Sequence, residues 1–262
     1  MKRTRKLLLV IERDLRRFIQ FKFLIILRTI WFAAQVAFFG LIASRMVVPE
    51  LADIYFEFYV AGVVIMMLYS ASVFIGYDIF EEAEHGVFEY LLSLPVSRKE
   101  LVLGRSIGGG IRSFILVGPI IAITLFIIGL ANPLNLLVAL SALFLFAFGV
   151  SGMSITIAVT LKSGDRFDIF MGALSAFIIR LSTTMYPQAF VQDANQAYAA
   201  FSQFNPVTYA SDLFRWGTGI ERYLTMSPMP LAPIIGIVIF FFIFTFVGVT
   251  FYEKRLEGGG WQ

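Results

Sequence analysis

Of 262 residues, 58% are hydrophobic and only 15% are charged, and the mean hydropathy is +0.81. A soluble domain is about 45–50% apolar and about 25% charged, so lipid must cover much of this chain. The lack of cysteine and a single histidine, His85, exclude thiolate and multi-histidine metal chemistry, and the net charge of +3 sits in Lys and Arg flanking apolar runs, as membrane topology demands and nucleic-acid binding does not.

The chain opens on an amphipathic stretch, about residues 5–22. Leu7, Leu8, Ile11, Leu15, Phe18 and Ile19 recur at helical spacing, and Glu12, Arg13, Asp14, Arg16 and Arg17 fill the other face. That pattern predicts a helix lying in the membrane interface with its cations near lipid phosphates. The apolar run that follows, 23–43, is longer than the ~7–15 residues of a signal-peptide core, so it is expected to stay in the chain as a first span.

Five further apolar runs, 58–80, 107–130, 134–161, 167–187 and 231–252, are each long enough to cross a bilayer. Asn132-Pro133 separates the third span from the fourth. The fold expected is an all-α polytopic membrane protein of one domain, with six transmembrane helices. Lys and Arg concentrate at one set of segments and span ends, from Lys2 to Arg28, Arg98 to Arg112, Lys162 to Arg166, and Lys254 to Arg255. Only Arg45, Arg215 and Arg222 fall in the opposite set. That asymmetry predicts a multi-pass protein of the cell membrane with both termini cytoplasmic. Residues 188–230 are too polar to span and too apolar for a free loop, and short outer-leaflet re-entrant helices before the last span fit them.

The most informative segment lies between spans two and three, on the predicted cytoplasmic side. Glu81, Glu82, Glu84 and Glu89 cluster beside apolar Val87, Phe88, Leu91, Leu92 and Leu94. Pro95 then stops the helix, and Ser97 is placed to cap the next one, which opens Arg98-Lys99-Glu100. The residues alone describe a short amphipathic helix at the membrane surface, whose carboxylates either meet a partner or merely solvate a loop.

Glu82, Gly86, Glu89, Leu91-Leu92, Pro95, Ser97 and Arg98 resemble the pattern E-x-x-x-G-x-x-E-x-L-L-x-x-P-[VI]-S-R of ABC-2 type export permeases, particularly the daunorubicin-resistance-like branch. Asn205-Pro206-Val207-Thr208-Tyr209, followed by Asp212 and Arg215, resembles that family's outer N-P-[LVM]-T-Y-x-x-[ED]-x-x-R stretch. One departure is the lack of Trp in Tyr186-Pro187-Gln188-Ala189-Phe190, the nearest counterpart of a Pro- and Trp-rich stretch in the family. The resemblance implies that the segment containing Glu81–Arg98 is a cytoplasmic coupling helix touching a separate nucleotide-binding subunit. That subunit would bind ATP and Mg²⁺, with no cofactor in this chain. It also implies a second copy or a paralogue of the chain, with spans one, two and five lining the pathway between them. Surface ion pairs from the carboxylates to that partner would contribute about 0–1 kcal/mol each, and would fix register more than affinity.

The expected function is therefore that of the permease subunit of an ATP-driven exporter for an amphipathic substrate: a lipid, a lipid-linked molecule or a hydrophobic drug. Gly104-Arg105-Ser106-Ile107-Gly108-Gly109-Gly110 lacks the Lys-Ser/Thr of a phosphate loop, so no ATPase site is expected here. A secondary transporter or channel would be expected to carry ionisable residues on several spans, whereas this chain offers chiefly Arg180. Arg180 is read either as a functional intramembrane charge or as one snorkelling toward Asp53 or Glu57. A carbohydrate-exporting relative would generally lack the Gly86–Arg98 segment. Gly149-Val150-Ser151-Gly152 mimics an intramembrane serine protease, but the only base, His85, is assigned to the cytoplasmic segment, out of reach.

Overall fold

The computed structural model describes residues 3–19, 22–46, 52–188, 195–220 and 231–257. The described residues are almost wholly helical, with no strand among them. In chain order the helices are α1 Arg3–Ile19, α2 Lys22–Gln35, α3 Leu41–Met46, α4 Ala52–Glu84, α5 Val87–Ser93 and α6 Arg98–Ile128. They continue with α7 Pro133–Leu161, α8 Gly164–Arg180, α9 Gln196–Gln203, α10 Pro206–Thr218 and α11 Leu231–Glu257. A five-residue π-helical segment, Val36–Gly40, joins α2 to α3.

Among the described residues, five helical stretches of 18 residues or more are apolar enough to cross a membrane: Ile25–Met46, Ile54–Glu84, Arg98–Ile128, Pro133–Leu161 and Leu231–Thr250. The chain is thus an all-α polytopic membrane protein. Its core is α7, which packs against α4, α6, α10 and α11. α4 is enclosed along most of its length, whereas Ile25–Met46 and α11 turn most of their apolar surface outward.

The run expected as a fifth span, 167–187, is carried by α8, a helix of 17 residues that ends at Arg180 and runs about 25 Å at ~1.5 Å per residue, at the short end of the ~17–25 residues that cross a bilayer. Residues 181–187 form turns instead. Pro187 bars a helix from running through this turn, because the carbonyl of Thr183 would accept from residue 187, which has no N–H. The residue before a proline is also driven out of the helical region.

Two caps are built as the residue types dictate. Ser97 caps α6 in a reciprocal box, its hydroxyl accepting from the Glu100 N–H at 3.2 Å while the Glu100 carboxylate accepts from the Ser97 N–H at 2.9 Å. Asn132 and Pro133 start α7 together, the Asn132 side chain accepting from the Leu134 N–H at 2.9 Å.

The interface helix is not laid flat on lipid all round. Val10, Ile11, Asp14 and Phe18 are buried, and α1 packs along α6. The close approach needs Gly104, where a Cβ would stand 2.8 Å from Val10 Cγ1. Leu8 and Ile19 stay exposed on the other apolar edge.

Candidate functional site: two buried arginine sites at opposite ends of the bundle

At the end of the bundle carrying α1 and α5, α4 terminates through Gly86, whose φ of 68° lies in the left-handed region that glycine tolerates best. α5 then folds back, and its Leu91 is buried. Lys6, Leu9, Val10 and Arg13 of α1 face Leu91, Leu94 and Pro95 across a largely apolar cavity of about 240 Å³. The interface helix and the α5 segment are therefore neighbours.

Behind that contact sits Glu82, 3% exposed. Its carboxylate pairs with three guanidiniums: Arg13, Arg17 at 3.0 Å and Arg105 at 2.6 Å. Arg17 also holds Glu81 at 2.6 Å. One carboxylate thus ties the last turns of α4 to α1 and to the start of α6. Burying such charges costs several kcal/mol per ion, and only multiple close pairings offset it. Asp14 lies in the same neighbourhood, 3.6 Å from Arg13. Burial pushes its carboxyl above the usual carboxylate range, although Arg105 and Arg13 pull the other way.

At the opposite end, α10 carries Arg215, which is 0% exposed. Its guanidinium donates to the carbonyls of Thr183 and Thr184, each at 3.0 Å, and to that of Phe58 at 3.3 Å. It also lies 3.4 Å from the centre of the Phe58 ring, and Asp212 stands 3.6 Å away one helical turn earlier. The Thr183 carbonyl, which Pro187 leaves without a helical donor, and the neighbouring Thr184 carbonyl are thus taken up by a cation. Gly62 makes room for this turn, since a Cβ there would fall 1.9 Å from the Thr184 carbonyl oxygen.

The Asn205–Tyr209 segment supplies the rest of the clamp. The Asn205 side chain accepts from the Val207 N–H at 2.9 Å, capping α10, and donates to the Ile178 carbonyl at 2.7 Å. Pro206 occupies the first turn of α10, and the Thr208 hydroxyl accepts from the Thr183 N–H at 3.2 Å. Tyr209 packs its ring against Gly236 of α11. The Tyr198 hydroxyl of α9 donates to the carbonyls of Arg180 and Ser182. The carbonyls that α8 leaves unpaired at its C-terminus are met by side chains from α9 and α10.

Residues 5–218, which include both segments, match the family model described as ABC-2 type transporter. The chain belongs to the ABC-2 type transporter family. No curated protein matches it. As an ABC-2 family protein it is a multi-pass membrane component of a transporter, from a family that works with an ABC ATPase subunit.

The residues singled out from the sequence fall into distinct positions in this ABC-2 permease. Glu81, Glu84, His85 and Gly86 are exposed, as is Pro95, while Arg98 opens α6. The side chain of Glu89 lies outside the described residues, although its backbone is part of α5. Glu82, expected to face water or a partner, is instead enclosed by this chain's own arginines. Arg180 is the last residue of α8 and is exposed, whereas the buried charge of the α10 end is Arg215. The spacing Asp212-x-x-Arg215 on an amphipathic helix was the available signal, since it puts acid and base on one face. Ser151 is no nucleophile: it donates to the Ser72 carbonyl at 3.2 Å, and Ser72 precedes His85 by thirteen residues of helix or turn, about 20 Å at ~1.5 Å per residue.

Proposed function

We propose that the chain is the permease subunit of an ATP-driven exporter of an amphipathic substrate, with ATP hydrolysed by a separate subunit that docks on α5. The observation that carries this reading is the Glu82 cluster. A push on the α5 segment reaches the end of α4 at once, and Glu82 conveys it to α1 and α6 through Arg13, Arg17 and Arg105. A loop that merely solvates itself would have no use for a carboxylate buried among cations from two other helices. Glu84 and the rest of the α5 segment's acidic rim are what the ATPase subunit would meet, whereas Glu82 holds the lever in place.

The bundle is read with both termini in the cytoplasm of the cell membrane, following the Lys and Arg bias, with Asn205, Pro206, Thr208 and Tyr209 on the outside. α4 is largely enclosed within its own chain. The uncovered apolar faces of α2, the π-helical segment after it and α8, including Trp31, Phe38, Ile169 and Phe177, suit a second copy or a paralogue, or lipid. An amphipathic cargo would move along such a seam.

Copurification tests the assignment: a tagged chain is expected to bring an ABC ATPase subunit with it. In the reconstituted complex, Glu84→Lys combined with Glu89→Lys is expected to separate ATP hydrolysis from transport while thermal unfolding of the permease stays unchanged. Unchanged coupling in that double variant, or transport by the permease alone, would overturn the reading.

A further inference from the structure

A second cavity, of about 240 Å³, lies between α1, α2, α4 and α6. Its charges do not cancel. Arg17, Arg28 and Arg112 face it against only Asp78 and Glu81, leaving one positive charge. Both carboxylates are already engaged, Asp78 by Arg112 and Glu81 by Arg17. Arg28 has no carboxylate among the described residues; its guanidinium lies 4.3 Å from the centre of the Phe74 ring.

The cavity is also graded along the membrane normal. On α4, Glu81 and Asp78 line the end near α5, and Phe74 and Ala71 lie deeper. α6 repeats the gradient from Arg112 to Leu116. Arg28 sits six residues into α2, about 9 Å beyond its start at ~1.5 Å per residue, so it lies roughly where headgroups give way to acyl chains. A cation at that depth with no acid beside it is costly unless an anion comes to it.

We propose that this cavity holds the headgroup of an anionic phospholipid, one whose phosphodiester charge no headgroup cation cancels, with Arg28 as its principal cation and the apolar end taking the start of the acyl chains. Arg17 and Arg112 share the anion from the rim. Seated there, the lipid touches α1, α2, α4 and α6 at once, so its presence sets how firmly the interface helix is held against the spans.

Native mass spectrometry of the purified full chain, titrated with phosphatidylglycerol or phosphatidylcholine, tests the proposal. Phosphatidylglycerol is expected to be retained about five-fold or more in preference, the effect of roughly one interfacial arginine. Arg28→Gln is expected to abolish that preference and Arg28→Lys to keep most of it, while Arg45→Gln, on exposed α3, leaves it intact. Equal retention of the two lipids by the native chain would overturn the proposal, and this comparison stands even if Arg28→Gln fails to fold. Persistence of the preference in a folded Arg28→Gln chain would also overturn it. A third arm adds soluble glycerol phosphate: displacement of the lipid at equal concentration would reassign the cavity to a free phosphate ligand.

Discussion

The two ends of this bundle bury arginine in different ways. At the α5 end, Arg13, Arg17 and Arg105 converge on one carboxylate, Glu82, supplied by another helix. At the α10 end, Arg215 is held by neutral carbonyls of the turn 181–187, by an aromatic face, and by Asp212 from its own helix rather than from another. Carbonyl dipoles hold a guanidinium only while they all point at it, which makes the second arrangement a rigid lock. An ion cluster shares its attraction among several cations and tolerates a shift of one against another. That tolerance suits an end through which motion enters, whereas the lock suits an end that keeps its shape.

The contrast is open to breaking. Arg215→Leu is expected to have the largest effect, about 3–5 kcal/mol of stability, because three buried carbonyls lose their donor together. Arg215→Lys should recover little of it, since a point charge does not replace a planar fork. Thermal unfolding in detergent measures both. Glu82→Gln keeps the volume and removes the charge; we expect a loss of about 2–3 kcal/mol. A double-mutant cycle with Arg17→Gln should show a non-additive coupling, whereas a cycle between Glu82→Gln and Arg215→Lys should be additive. Coupling between the two ends would argue that they form one unit.

Two smaller effects sharpen the picture of the α5 end. Ser97→Ala removes one half of the cap on α6 and is expected to cost about 1 kcal/mol. Asp14 yields the weakest signal, and it is a pH slope. Its folded carboxyl binds a proton more tightly than an unfolded one, so the folded state gains most at low pH. That gain is lost as pH rises from the ordinary carboxylate range through the raised value. Unfolding followed against pH should thus show Asp14→Asn overtaking the native chain as pH rises, and a parallel pair of curves would count against the burial of Asp14.

Much of this architecture was legible in residue order because its causes are local. Hydropathy places the long spans, Ser97-Arg98-Lys99-Glu100 spells out its own capping box, and Asn132-Pro133 opens α7. The turn after α8 was legible only in part: Ser182-Thr183-Thr184 and Pro187 weaken the helix there, but no residue type marks its end at Arg180. The burial of Glu82 was hidden for a different reason. Its partners Arg13 and Arg17 lie 69 and 65 positions away, and only helix packing brings them together. The burial of Arg215 was harder still to read, because the Asp212-x-x-Arg215 spacing shows an acid and a base on one face while the carbonyls that receive the guanidinium carry no side-chain signature.

The absence of cysteine from the chain permits a direct test of the central claim, that force from a separate ATPase enters through α5. Tyr90→Cys, at an exposed position of that helix, accepts a photo-crosslinker as the sole reactive thiol, and Phe126→Cys, exposed near the far end of α6, serves as the matched control. The account predicts an adduct between position 90 and an ABC ATPase polypeptide, changing in yield when ATP is trapped, with no such adduct at position 126. Lipid adducts alone at position 90, or an ATPase adduct of equal yield at position 126, would contradict it.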